Sequence, residues 1–212
     1  MSAARKGIPF VIAAPSGTGK TTVCRRVIEA DALIEFSVSH TTRTPRARER
    51  DGVHYHFVSR EDFEKLAEEG AFLEWAEYNG NLYGTSWRSV EEPLAAGRDM
   101  LLEIEVQGAA QVRERRPGAR FIFLLPPSMQ DLRQRLQGRG TDSPAEVERR
   151  LAWAEREELG AGAAFDYAVV NGDLEACVAE LRRILEAERA GDVAELRQRL
   201  DPAKALASLR GA

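Results

Sequence analysis

The chain has 212 residues, 43% of them apolar and 30% charged, and a formal net charge of −4. That length and balance suit an α/β domain with a sizeable core and exclude a disordered chain, while the acidic total argues against a general nucleic-acid binder, which would be basic. No apolar run approaches the roughly 18 residues of a membrane span, and Met1–Lys6 followed by only a strand-length apolar segment is wrongly built for a secretory signal, so a cytoplasmic protein with no membrane partner is expected.

In chain order, Pro9–Ala14 reads as a short buried strand. Pro15-Ser16-Gly17-Thr18-Gly19-Lys20-Thr21-Thr22 then reads as a phosphate-binding loop that opens a helix from Lys20 to about Ala30. Gly17 and Gly19 let backbone N–H groups turn in on a polyphosphate, Lys20 adds a cation, Thr21 offers a hydroxyl to Mg²⁺, and the helix dipole adds positive potential at the same point. Ala14 stands where the usual pattern begins with Gly, which narrows the backbone there but leaves Gly19-Lys20-Thr21 intact. The motif marks a nucleotide site without deciding between ATPase, GTPase and kinase.

Phe36–Ser39 is the next strand candidate, followed by a polar stretch, His40–Gly52, that carries Arg43, Arg46, Arg48 and Arg50 around Pro45. Such a stretch is either a solvated loop or a set of planar forks aimed at a phosphate dianion. Val53–Val58 has strand character, and Ser59 with Asp62 imitates a capping box for a helix that Gly70 ends. Phe72–Tyr78 and Asn81–Thr85 flank an Asn79-Gly80 hairpin signal, making a small β-rich insertion; alternation places Glu74 on the face opposite Leu73 and Trp75.

Thr85 or Ser86 caps a helix to about Ala96, and Met100–Ile104 is another buried strand, with Glu103 and Glu105 where open α/β sheets bind ligands. A helix over Gln107–Arg116, a Pro117-Gly118 turn and a strand over Arg120–Leu125 follow. Ser128 opens a helix through Leu136, Gly138–Pro144 breaks it, and a charged helix runs from Ala145 to about Leu159. Arg135, Arg139 and Arg150 can converge on phosphates when such a flap closes, although the charge pattern also fits a solvated face paired with Glu146, Glu148, Glu155 and Glu157.

Tyr167–Asn171 is the last strand and Leu174–Ala190 the closing helix; Leu196, Leu200, Leu206 and Leu209 mark a peripheral helix or a frayed tail. Cys24 and Cys177 lack pairing spacing and read as small core residues, and His40, His54 and His56 lack metal-site spacing. The alternation of strands and helices predicts an α/β fold: a mainly parallel sheet with helices on both faces, interrupted by two functional insertions.

Taken together, Ser37-Val38-Ser39-His40-Thr41-Thr42-Arg43-Thr44-Pro45-Arg46, Asp51–Ser59, Glu74-Trp75-Ala76, Tyr83-Gly84-Thr85, Val106-Gln107-Gly108-Ala109 and Gly138-Arg139-Gly140-Thr141 closely resemble the guanylate kinases from about Pro9 to Ala190. The resemblance implies ATP-dependent, Mg²⁺-requiring phosphorylation of GMP to GDP, a step in guanine nucleotide recycling and GTP supply, with dGMP tolerance and oligomeric state left open. It implies that Arg43, Arg46, Tyr55 and Tyr83 hold the GMP phosphate and that Ser39, Glu74, Thr85 and Glu103 surround the guanine. Ser16 to Thr22, with Gly17, Thr18, Gly19, Lys20 and Thr21, would take ATP together with Arg135, Arg139 and, near the adenine, Asn171. Lys20, Arg135, Arg139 and Arg150 would carry catalysis. Relatives often show Asp-Ile-Asp or Glu-Ile-Asp where this chain has Glu103-Ile104-Glu105, so Glu105 brings a longer carboxylate to the position beside Mg²⁺ or Lys20. The implied division is a core of residues 1–36, 97–128 and 160–190, a β-rich GMP-binding region over 37–96, a helical lid over 129–159 and a tail over 191–212.

Two rivals remain at this point: an interaction module that keeps the fold but binds proteins, and a kinase for another nucleotide. The intact Gly19-Lys20-Thr21 and lid arginines count against the first, and Glu74 with Ser39 and Tyr83 counts against the second.

Overall fold

The computed structural model describes residues 5–47, 49–78, 80–138 and 143–211. The elements are β1 (Pro9–Ala13), α1 (Lys20–Ala30), β2 (Ile34–Phe36), β3 (His40–Thr41), β4 (His56–Phe57), α2 (Arg60–Glu68), β5 (Phe72–Tyr78), β6 (Asn81–Ser86), α3 (Trp87–Ala95), β7 (Asp99–Glu103), α4 (Val106–Arg115), β8 (Arg120–Leu125), α5 (Met129–Gly138), α6 (Pro144–Trp153), α7 (Leu159–Gly162), β9 (Tyr167–Val170), α8 (Leu174–Ala190), α9 (Ala194–Arg199) and α10 (Pro202–Gly211). A five-stranded sheet runs β2-β7-β1-β8-β9 and a four-stranded one runs β4-β3-β6-β5. In the larger sheet β2 pairs with β7, and β8 with β9, in parallel. Parallel strands buried on both faces read as unbroken apolar runs, which is why Phe-Val-Ile-Ala in β1 and Phe-Ile-Phe-Leu-Leu in β8 are wholly buried.

The chain separates into two compact units, Met1–Val11 with Ala32–Arg120, and Ile12–Asp31 with Phe121–Ala212. In the first, buried Asp99 accepts hydrogen bonds from the Ile8 N–H at 2.7 Å and the Arg5 guanidinium at 2.5 Å, tying the start of the chain to β7. The small sheet packs Phe63 of α2 against Phe72, with Leu82 completing the cluster. Ser59 caps α2 by accepting the Asp62 N–H, and Ser86 caps α3 by accepting the Ser89 N–H, as their sequences lead one to expect.

Two strands depart from expectation. The strand expected at Phe36–Ser39 lies earlier, at Ile34–Phe36, because Ile34 to Phe36 pair in register with Asp99 to Leu101. The one expected over Val53–Val58 shortens to His56–Phe57, because Gly52 takes a left-handed φ of 70° and the Arg50 carbonyl accepts from both Val53 and His54, closing a turn there.

In the second unit, α6 continues into α7 through one π-helical turn, Ala154–Glu158, so the charged helix reaches Gly162. The last residues form α9 and α10 and cover the edge of the larger sheet: the Ala168 N–H donates to the Leu200 carbonyl at 2.8 Å, and Leu206 and Leu209 are buried. Cys24 and Cys177 are both buried and outside any disulfide, and burial pushes the Cys177 thiol up to about 12. No described helix is long and apolar enough to cross a membrane.

Fully buried Tyr167 donates its hydroxyl to Glu188 at 2.6 Å, and Arg197 reaches the same carboxylate at 2.9 Å. Burial, then the bond to Glu188, pushes the phenol up to about 12. Tyr167→Phe keeps the ring and removes one donor from a charged acceptor, so urea unfolding is expected to show a loss of about 2 kcal/mol, within the range for hydrogen bonds to charged groups. A loss below about 0.5 kcal/mol would mean that Glu188 is satisfied without the phenol.

Candidate active site

The phosphate loop belongs to the second unit. Gly17 and Gly19 sit at φ 96° and 97°, the left-handed region where a side chain is strained, and both are also crowded. A Cβ on Gly17 would come within 2.9 Å of Leu136 Cδ2, and one on Gly19 within 2.8 Å of Asn171 Nδ2. Gly19 also stands at the N-cap of α1, its carbonyl accepting the Val23 N–H, so Lys20, Thr21 and Thr22 form the first helical turn, the end of a helix that attracts an anion.

The Thr18 carbonyl is held from outside the loop by two donors, the Asn171 amide at 2.7 Å and Arg135 at 3.0 Å, and Arg135 also reaches the Asn171 carbonyl at 2.8 Å. In a planar trans peptide the Gly19 N–H then points opposite to that carbonyl. Arg150 reaches the Ser16 hydroxyl at 3.5 Å and lies 3.7 Å from Glu146, while buried Glu158, on the π-helical turn, accepts the Ser16 N–H at 3.4 Å. Four expected residues, Ser16, Arg135, Arg150 and Asn171, are therefore brought to one loop. Arg139 lies outside the described residues. Glu158 was not singled out from sequence; the only signal was a carboxylate among charged helix positions, and the π-turn that re-aims it is invisible there.

A second constellation belongs to the first unit. Ser39 Oγ and Thr85 Oγ1 lie 3.1 Å apart, and Thr85 is the cross-strand partner of Glu74. Glu74 is only 5% exposed, and a Cβ on Gly108 of α4 would come too close to its Oε2, so glycine is what lets that helix approach the carboxylate. The α4 side chains also finish the outer edge of β5: Gln111 bonds both the N–H and the carbonyl of Trp75, and Arg115 donates to the Phe72 and Leu73 carbonyls. Gly108, Gln111 and Arg115 lie on one helix face by their spacing of three and four, a signal that was available in the sequence.

Simple alternation does not describe β5. The register shifts between Phe72 and Glu74, so Phe72 and Trp75, three residues apart, both meet the Phe63 ring, while Leu73 and Glu74 are both buried. Glu74 thus stays away from Trp75 as expected, but through a bulge rather than through the two-residue period.

Beside these, Tyr55 and Tyr83 place their ring centres 6.1 Å apart, and the Arg43 guanidinium lies 5.6 Å over the Tyr55 ring. Burial, then the nearby Glu103 charge, raises the Tyr55 phenol, which keeps it a hydrogen-bond donor. Glu103 is half-buried at the end of β7 and Arg46 is exposed on its loop. Arg43 donates to both oxygens of Glu49 at 2.8 and 2.9 Å, and the Arg46 N–H donates to the same carboxylate at 2.8 Å. That pair raises Arg43 and lowers Glu49 from their ordinary values. Glu49 is another residue that sequence reasoning passed over.

For a metal, no group of three or more His, Cys, Asp or Glu side chains able to hold an ion occurs among the described residues. Mg²⁺ keeps most of its waters and binds through one or two protein oxygens plus substrate phosphates, so single donors suffice. Thr21 in the first turn of α1 is one, and Glu105, at the N-cap of α4 without capping it through its side chain, is another. This donor chemistry fits a nucleotide-borne Mg²⁺.

The guanylate kinase family model matches residues 6–188. The guanylate kinase of Neisseria gonorrhoeae (strain ATCC 700825 / FA 1090) is 53% identical over 189 residues, covering 89% of this chain and 92% of that one. That of Dechloromonas aromatica (strain RCB) is 49% identical over 178 residues, covering 84% and 88%. Among solved structures, guanylate kinase from Anaplasma phagocytophilum superposes with a TM-score of 0.70 at 34% identity, covering 87% of each chain. Agreement of that depth, across both constellations, makes this chain a member of the guanylate kinase family.

Proposed function

We propose how the guanylate kinase activity of this chain, the ATP-dependent phosphorylation of GMP to GDP, is divided among its residues. In the second unit, the loop from Ser16 to Thr22 receives the ATP phosphates on its N–H groups, with Lys20 as fixed cation and Asn171 beside the adenine. Arg135, Arg139 and Arg150 spread positive charge over the transferring group. Thr21 would give a nucleotide-borne Mg²⁺ one hydroxyl and Glu105 is a candidate carboxylate for it; when bound, the ion would supply charge neutralisation on the ATP phosphates. In the first unit, Arg43, Arg46, Tyr55 and Tyr83 hold the GMP phosphate, and Ser39, Glu74, Thr85 and Glu103 surround its base.

In the reaction a GMP phosphate oxygen attacks the γ-phosphorus and the bond to the departing ADP oxygen breaks, with no covalent intermediate on the protein. Catalysis then reduces to aligning the two phosphates, supplying charge and keeping water away from ATP. The proposed parts are a core over 1–36, 97–128 and 160–190, a GMP-binding region over 37–96, a lid over 129–159 and a tail over 191–212, in a cytoplasmic protein.

The observation that carries the assignment is buried Glu74 against Gly108, next to the Ser39–Thr85 hydroxyl pair. Guanine presents a ring N–H and an amino group side by side, which one carboxylate can accept together, and its carbonyl can take a hydroxyl donor. A coupled ADP-release assay with ATP and each nucleoside monophosphate in turn tests it. Strong turnover is expected with GMP and not with AMP, CMP or UMP; equal turnover with AMP would displace the base-reading role.

The phosphate clamp has its own test. Arg43→Ala should raise the KM for GMP about tenfold, equivalent to about 1.4 kcal/mol, and also lower kcat, because a loosely held acceptor is no longer aimed in line. Guanosine should bind the wild type and Arg43→Ala alike. An unchanged GMP response would return this loop to a solvated surface role.

A further inference from the structure

We infer that Glu49 is a positioning residue for the GMP phosphate, acting through Arg43 and Arg46; this rests on the reading that those arginines hold the phosphate. The carboxylate engages both of them at once. Its two oxygens accept from one terminal nitrogen of Arg43 at 2.8 and 2.9 Å, and one of them also accepts the Arg46 N–H at 2.8 Å. The Glu49 N–H returns a bond to the Arg46 carbonyl at 2.9 Å, closing the turn between them. The other terminal nitrogen of Arg43 donates to the Thr44 carbonyl at 2.8 Å, and the Arg43 N–H to Thr41 Oγ1 at 3.2 Å. Both Arg43 and Glu49 side chains are largely shielded, at 17% and 16% exposure.

Two effects of opposite sign compete here. A carboxylate beside the clamp subtracts a negative charge from a site that must attract a dianion, which weakens binding. Against this, Arg43 is a long side chain on a loop without regular structure, and ordering it only when GMP arrives would draw on binding energy. The geometry favours the second effect. Glu49 holds the terminal nitrogen of the guanidinium while the ring of Tyr55 lies 5.6 Å and that of Phe57 5.9 Å from its centre, so the guanidinium is fixed in plane and direction before any ligand is bound. If Glu49 were merely a surface partner, it would have no reason to collect the Arg46 N–H as well.

The experiment is Glu49→Gln, which keeps the size and one acceptor but removes the charge and the second acceptor. Calorimetry with GMP alone is expected to show about tenfold weaker binding, while displacement by guanosine and binding of ATP each change less than about twofold, because neither uses the clamp. The thermal midpoint should move by no more than about 2–4 °C, the shift that about 1 kcal/mol produces in a chain of this size. In an Arg43→Ala background, Glu49→Gln should add less than about twofold, since two residues acting through one contact are not additive. Unchanged or tighter GMP binding in Glu49→Gln would make Glu49 a bystander or a competitor for Arg43 and overturn the inference. So would equal weakening of GMP and guanosine, the mark of a general scaffold role. If Arg43→Ala itself leaves GMP binding unchanged, the assignment of the clamp fails first; if Arg43→Ala weakens it and Glu49→Gln does not, only the role of Glu49 falls.

Discussion

Replacing Lys20 by alanine is expected to lower kcat roughly 10²- to 10³-fold, the usual loss when one preorganised donor to developing charge is removed. Lys20 is the first residue of α1, directly after a glycine at φ 97° whose position is filled to capacity by Asn171. Gly17 and Gly19 set the loop's backbone, and Arg135 and Asn171 hold its Thr18 carbonyl, four contributions that the substitution leaves in place. Alanine is the best residue for a helix interior, so α1 should keep its first turn. A folded protein with its thermal midpoint unchanged and its turnover nearly gone is the expected pair of results. Turnover close to wild type in a folded Lys20→Ala protein would remove this loop from the active site, whatever the family.

What could be read from the sequence was local chemistry, and what could not was pairing at a distance. The phosphate loop and α1 were legible because glycine, lysine and threonine do their work within a few residues of one another. Ser59 with Asp62, a cap for α3 at Thr85 or Ser86, and the turn at Gly80 were legible for the same reason. The bulge in β5 was not, since Phe72 and Glu74 look like ordinary alternating positions until β6 imposes its register. Glu49 sits six residues from Arg43, a spacing that no helix or strand rule singles out, and in a loop crowded with arginines it reads as one more solvated charge. Arg135 bonding a carbonyl 117 residues away is of the same kind: its charge was visible, its partner was not.

Base choice offers the sharpest test of the first unit. Glu74→Gln keeps the shape of a side chain that is 5% exposed and has no room behind it, because α4 already approaches as closely as Gly108 allows. It changes one of two acceptor oxygens into an N–H donor. Guanine, which donates from two adjacent groups, then loses one hydrogen bond and meets a donor where it needs an acceptor, whereas the adenine ring nitrogen gains a partner it lacked. An unpaired buried polar group costs about 1–3 kcal/mol, so kcat/KM for GMP should fall roughly 5- to 200-fold. For AMP it should change little or rise slightly. Gly108→Ala should move in the same direction by a different route: the added Cβ would collide with Glu74 Oε2, so the carboxylate or α4 must shift while its charge and both acceptors are retained. The two variants separate chemistry from placement. If Glu74→Gln lowers GMP and AMP efficiency equally, Glu74 supports the strand and does not read the base; if only Gly108→Ala discriminates, the bases are told apart by the shape of the pocket and not by its acceptors.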